Sequence, residues 1–204
     1  MDDDSPSFRL KADGGVGAAL RAAWARDGAV CVRGLFSASE VSAMRAGVDA
    51  VLAHPSPAAL VASPAGDAGL FVEDFRRDDV PEFGAVAASS AAARVAGELL
   101  ETAVLRFHHN HVLVKEPRTA AQTPWHQDEP YYNVEGAQTL SAWCPVDDVP
   151  RASSLQLLAG SHRDGLYLPR TFKDGVAAWW CAFTSLGGSP LALTCCAQAG
   201  GQSA

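Results

Sequence analysis

Residues 123–132 read Thr-Pro-Trp-His-Gln-Asp-Glu-Pro-Tyr-Tyr. In an extended strand, side chains two positions apart point to the same face. On that layout His126 and Asp128 reach one side and Gln127 the other. An imidazole nitrogen and a hard carboxylate oxygen suit Fe(II), where protein ligands on a single face leave positions open for small molecules. The triplet alone is a weak signal, because a surface His two residues before an Asp arises by chance in many chains.

Working outward, the spacing of apolar residues changes near residue 103. Upstream it is helical. Residues 17–27 (GAALRAAWARD) are Ala-rich, and Gly28 stands where a helix C-terminus stops. Ala29-Val30-Cys31-Val32-Arg33 predicts a short buried strand. Ser37 and Glu40 form a capping box that opens a helix to about His54, with Val41, Met44, Val48, Val51 and Leu52 on its apolar face. The Pro-, Ala- and Ser-rich run 55–69 predicts a loose surface loop, and a helix is expected near 88–101. Downstream the pattern alternates. Residues 104–108 and 111–115 suit one long strand or two short ones, and 139–146 and 155–158 suit two more, the last closed by Gly160-Ser161. Helices first and short strands later predict an α+β domain with a β-sandwich or jelly-roll core.

The chain has 204 residues, of which 48% are hydrophobic and 19% charged, enough for one domain with a real core. A net charge of −7 argues against a nucleic-acid or anionic-membrane partner, since both need clustered Lys and Arg. No apolar run approaches the roughly 20 residues of a membrane span. Met1-Asp2-Asp3-Asp4 is acidic where signal and transit peptides are basic. An intracellular, cytoplasmic protein with a small-molecule partner is the expectation. Five cysteines (Cys31, Cys144, Cys181, Cys195 and Cys196), with no C-x-x-C pair, predict reduced thiols, not a zinc knuckle or a disulfide framework.

Other segments put the His126–Asp128 pair in context. They are Gly28-Ala29-Val30-Cys31-Val32-Arg33-Gly34-Leu35-Phe36-Ser37, Val112-Leu113-Val114-Lys115-Glu116-Pro117 and Ser141-Ala142-Trp143, followed by Val149-Pro150-Arg151, Ala159-Gly160-Ser161-His162-Arg163 and Leu168-Pro169-Arg170-Thr171-Phe172. With the Trp-His-Gln-Asp-x-Pro-Tyr-Tyr run, they resemble the phytanoyl-CoA dioxygenase family of Fe(II)- and 2-oxoglutarate-dependent oxygenases over about residues 17–175. The resemblance implies a double-stranded β-helix, a cupin-like jelly roll, with helices at its N-terminal side. It implies a reaction in which O2 oxidatively decarboxylates 2-oxoglutarate to succinate while a C–H bond of a small organic substrate is hydroxylated. His126 and Asp128 match two iron ligands. Asn110, Lys115 and Trp143 match the lining of the 2-oxoglutarate pocket, and Tyr131 and Tyr132 stand at its mouth as candidate substrate contacts. Half-buried aromatics and a solvated strand-end lysine are the plain alternatives for the tyrosines and Lys115.

The likeness stops short of the end. The family's third ligand is a His on a later strand, followed by an Arg that pairs with the distal carboxylate of 2-oxoglutarate. No histidine follows His162 here, and no basic residue follows Lys173. His162 matches a structural turn of the family. His108, His109 and His111 form a cluster in which His109 and His111 would share a strand face, but no carboxylate partner is evident at strand spacing. The expected organisation is a flexible 1–16, a domain at 17–178 lacking the family's C-terminal part, and an atypical tail at 179–204 outside the native core. A non-catalytic relative that binds a small ligand or a partner is one alternative. A different metal enzyme that recruits His109 or His111 is another.

Overall fold

Within the Ala-rich run, Leu20, Ala23 and Trp24 recur at helical spacing, and they are the buried face of α1 (Ala18–Asp27). The computed structural model describes residues 7–62, 71–76, 79–117, 125–132, 136, 138–165 and 191–196. Its described residues fall into two compact units, one drawn from 1–36, 91–105 and 124–204, the other from 37–90 and 106–123.

In the first unit α1 ends as the sequence predicts. Gly28 takes a left-handed φ of 74° and its N–H closes on Trp24 O. A residue with a Cβ resists that conformation, which is why glycine serves there. The chain then enters β2 (Ala29–Arg33), where Val30 and Val32 point inward. Its neighbours are β1 (Ser7–Phe8) on one edge and β7 (Leu191–Cys196) on the other, and β6 (Leu140–Trp143) lies beyond β7. Every neighbouring pair in the order β1-β2-β7-β6 is parallel, with Val30 opposite Leu193 and Ser141 opposite Ala192. The 179–204 tail, expected outside the core, therefore contributes a central strand. Leu191-Ala192-Leu193-Thr194-Cys195-Cys196 is uncharged and continuously apolar, the pattern of a strand buried on both faces of a parallel sheet. Helix α4 (Ala91–Leu99) buries Val95 and Leu99. It is tied to α1 by Arg21, which donates from Nη2 to Glu98 Oε2 and from Nη1 to Glu98 O. The same Glu98 Oε2 accepts from Val16 N–H.

In the second unit, Ser37 and Glu40 make the predicted capping box at the start of α2 (Ala38–Ala53). Helix α3 (Pro81–Ser89) opens with Pro81, whose missing N–H costs nothing in a first turn. Strands β3 (Leu60–Ala62), β4 (Phe71–Arg76) and β5 (Asn110–Lys115) form an antiparallel sheet in that order. Val72, Asp74 and Val112 are buried on its inner face, and Val51, Val80, Phe83 and Val112 form the core with Val48 and Val114 against them. Gly47 permits the close approach of α3, since a Cβ there would lie 2.6 Å from Phe83 Cε1.

Several expectations are corrected. The single helix near 88–101 is two, α3 and α4, broken at Ser90, whose φ and ψ of −76° and 166° are extended. Serine's short hydroxyl favours helix ends over helix interiors. The start of the Pro-rich loop is not loose, because the Ser56 N–H and hydroxyl both donate to the fully buried Asp74 carboxylate, at 2.8 and 2.6 Å. Neither 104–108 nor 155–158 forms a strand; Val104 and Phe107 are 74% and 51% exposed, and Leu155, Leu157 and Leu158 are exposed as well. Alternating apolar residues favour a strand only where a partner ladder covers them. The described residues make a fold of mixed helix and strand whose strands do not close into a barrel, so the expected jelly roll is not seen directly. Among the described residues, no helix is long and apolar enough to cross a membrane.

Candidate metal centre

The His126–Asp128 pair is not carried by a strand. Residues 125–127 are irregular, and Asp128, with φ −73° and ψ −40°, opens a 3-10 turn at Glu129–Tyr131. Pro130 accounts for the difference. It has no N–H to give a β-ladder, and its fixed φ suits the first turn of a helix. The convergence inferred from strand geometry is reached by another route, for His126 Nε2 lies 3.3 Å from Asp128 Oδ1.

Three groups act on the Asp128 carboxylate. Burial by itself pushes its pKa up, but hydrogen bonds from His126, Ser141 and Tyr132, together with the charge of His126, outweigh burial and hold it below the usual carboxylate range. Tyr132 shifts the other way. Burial, then the neighbouring Asp128 charge, raises its phenol, which stays protonated as a donor at neutral pH. Ser141 reaches Asp128 from β6, and Trp143, two residues on, shares its strand face and is half-buried.

The flanking residues frame the pair. Gln127 Nε2 donates to Gly165 O at 3.2 Å, pinning the residue between the two candidate ligands. Glu129 is buried, with Oε1 accepting from Gly136 N–H at 3.1 Å and Oε2 without a hydrogen-bond partner. Trp125 is exposed. Tyr131 belongs to the 3-10 turn, and its side chain lies outside the described set.

His126, Asp128, Tyr132 and Trp143 thus fall in one compact unit, and Asn110 and Lys115 fall in the other. Asn110 begins β5, half-buried, with Nδ2 lacking a hydrogen-bond partner. Lys115 ends the same strand; burial pushes its ammonium pKa down and Glu73 opposes that. His111 Nε2 lies 3.0 Å from Glu73 Oε1 of β4, so the cluster does have a carboxylate partner, one supplied across the sheet where no along-chain spacing could reveal it. His109 precedes β5 and packs its ring edge-on against His108, centroids 4.7 Å apart. Among the described residues, no group of three or more His, Cys, Asp and Glu could hold a metal ion.

His162 has a structural place. Gly160, at φ 80°, donates its N–H to Asp27 O at 2.8 Å, and the turn Ser161–Arg163 follows. The His162 ring then lies over Gly28, where a Cβ would stand 2.2 Å from its Nδ1. The turn clasps the C-terminal end of α1, where His162 and Arg163 also lower the pKa of Asp27 after its larger hydrogen bond from Arg26. Cationic side chains suit a helix C-terminus.

Ser141 and Glu73 were missed as site residues. Ser141 stood in plain view two positions before Trp143, on the face Trp143 uses.

A family model described as phytanoyl-CoA dioxygenase matches residues 24–179. No curated protein and no solved structure matches the chain.

Proposed function

The chain belongs to the phytanoyl-CoA dioxygenase family, and from that premise we propose that it works as an Fe(II)- and 2-oxoglutarate-dependent oxygenase on a small organic molecule, with His126 and Asp128 as iron ligands. The carrying observation is the 3.3 Å approach of His126 Nε2 to Asp128 Oδ1. One neutral imidazole nitrogen and one carboxylate held ionised by its neighbours are the donor chemistry Fe(II) takes. These described residues fit part of a facial site, with the third protein ligand not among them. When bound, iron with 2-oxoglutarate and O2 supplies the oxidising power for C–H hydroxylation.

The remaining assignments follow the family. Trp143, Asn110 and Lys115 would line the cosubstrate pocket of a cupin-like fold, with Lys115 offering a cation to a carboxylate. Substrate contact falls to Tyr131 and to the ring of Tyr132, whose hydroxyl is engaged with Asp128 and Ser141. The protein's part is to present two donors in fixed geometry, exclude water and orient the substrate.

A second reading has its own observation. No histidine follows His162 and no lysine or arginine follows Lys173, so neither the family's distal His nor its 2-oxoglutarate-pairing Arg is present. That favours a relative that binds a ligand without turnover. Anaerobic titration with Fe(II) and then 2-oxoglutarate separates the two. Iron binding lost in His126→Ala and Asp128→Ala supports the metal centre, and binding indifferent to both removes it. A visible charge-transfer band on adding 2-oxoglutarate, followed by succinate formation in air, marks the oxygenase; bound iron with no band marks the non-catalytic relative.

A further inference from the structure

We propose that Tyr132 and Ser141 are the positioning residues of the metal centre, two hydroxyls that fix the Asp128 carboxylate by donating to it independently. This rests on the reading of Asp128 as a metal ligand. Asp128 is reached by Ser141 from β6 and by Tyr132 from the far end of the 3-10 turn it opens, and those two hydroxyls also contact each other.

Proton bookkeeping selects among the arrangements. Three contacts join the three side chains, but Ser141 and Tyr132 carry one hydroxyl proton each, so two hydrogen bonds at most form at once. An ionised carboxylate is acceptor-only, with about four lone-pair sites, and attracts a hydroxyl more strongly than a neutral oxygen does. Both protons therefore go to Asp128, and the Ser141–Tyr132 contact is left as simple proximity. The competing arrangement is a relay, Tyr132 to Ser141 to Asp128, in which only the serine touches the carboxylate.

Two donors on two different elements do what one cannot. Ser141 is fixed by a strand, whereas Tyr132 is fixed by the turn that carries Asp128 itself. Between them they stop rotation of the carboxylate plane and leave its remaining lone pairs, on the side toward His126 Nε2, for an ion. Outer partners of this kind hold a ligand oriented before metal arrives, and losing one typically weakens metal affinity by about 10- to 100-fold. Tyr132 thereby gains a role distinct from the substrate contact suggested by its place in the motif.

The test is Mn(II) affinity of the full chain, read from the EPR signal of free ion, for the wild type, Tyr132→Phe, Ser141→Ala, the double variant, Ser141→Thr and Asp128→Ala. Tyr132→Phe and Ser141→Ala should each weaken binding about tenfold, and the double variant by about the product of the two, as independent donors require. Ser141→Thr keeps the hydroxyl and should restore affinity, which loss of folding would not allow. A Tyr132→Phe effect that vanishes in the Ser141→Ala background overturns independent donation in favour of the relay. Single variants that bind as the wild type does, while Asp128→Ala does not, overturn the positioning role and leave the metal reading intact. If the wild type fails to bind, or Asp128→Ala changes nothing, the metal reading itself falls and takes this one with it.

Discussion

Gly28→Ala tests the clasp at the end of α1. The wild-type φ of 74° lies where a Cβ costs about 1–2 kcal/mol. The new methyl would also stand 2.2 Å from His162 Nδ1, so the ring has to leave. Moving it disturbs the turn whose Gly160 N–H bonds Asp27 O, and one such bond is worth about 1 kcal/mol. The sum is about 2–3 kcal/mol. For a chain of 204 residues each kcal/mol moves the midpoint by about 2–4 °C, giving a fall of roughly 4–12 °C. In a His162→Ala background the ring is gone and only the backbone strain remains, so Gly28→Ala should cost about 1 kcal/mol less there. Circular-dichroism melts of the four proteins measure the cycle. An equal cost in both backgrounds, or a harmless Gly28→Ala, refutes the clasp. His162→Ala should leave Mn(II) affinity unchanged; a loss would make His162 a ligand after all.

Other perturbations probe the second unit and the site. Asp74→Ala leaves the Ser56 N–H and hydroxyl without their buried charged acceptor, and at about 1.5–3 kcal/mol per bond the loss is about 3–5 kcal/mol by urea midpoint, with Ser56→Ala costing about half as much. Ser37→Ala removes the cap of α2 and should cost about 1 kcal/mol in the same assay. The acid limb of stability should carry the Asp128 signature. Its folded pKa lies below the ordinary 3.8, so its contribution is present above that value and is lost as pH falls through the lowered one. The stability gap between wild type and Asp128→Asn should therefore be constant near neutrality and shrink below about pH 4; a gap that widens in acid contradicts it.

What the sequence made legible was local. Gly28, the Ser37–Glu40 box and the strands at 29–33 and 110–115 each announce themselves within a few residues, and the structure places them where expected. The His126–Asp128 pair was legible as chemistry but not as geometry, because Pro130 turns a supposed strand into a 3-10 turn. What escaped notice depends on distant partners. Glu73 meets His111 only through the β4–β5 register, and Ser141 meets Asp128 only once β6 has its place. The apolar run at 191–196 reads as unpatterned text until β2 and β6 supply ladders on both sides.

The order in which the chain visits its two units limits how the protein can be taken apart. It passes from the first to the second after residue 36, returns at 91 to build α4, leaves again at 106 for β5, and comes back at 124. The β4–β5 ladder therefore closes around a fifteen-residue excursion, 91–105, that belongs to the other unit. No single cut of the gene yields either unit whole, and neither is a cassette that recombination could transplant. Selection must act on both together.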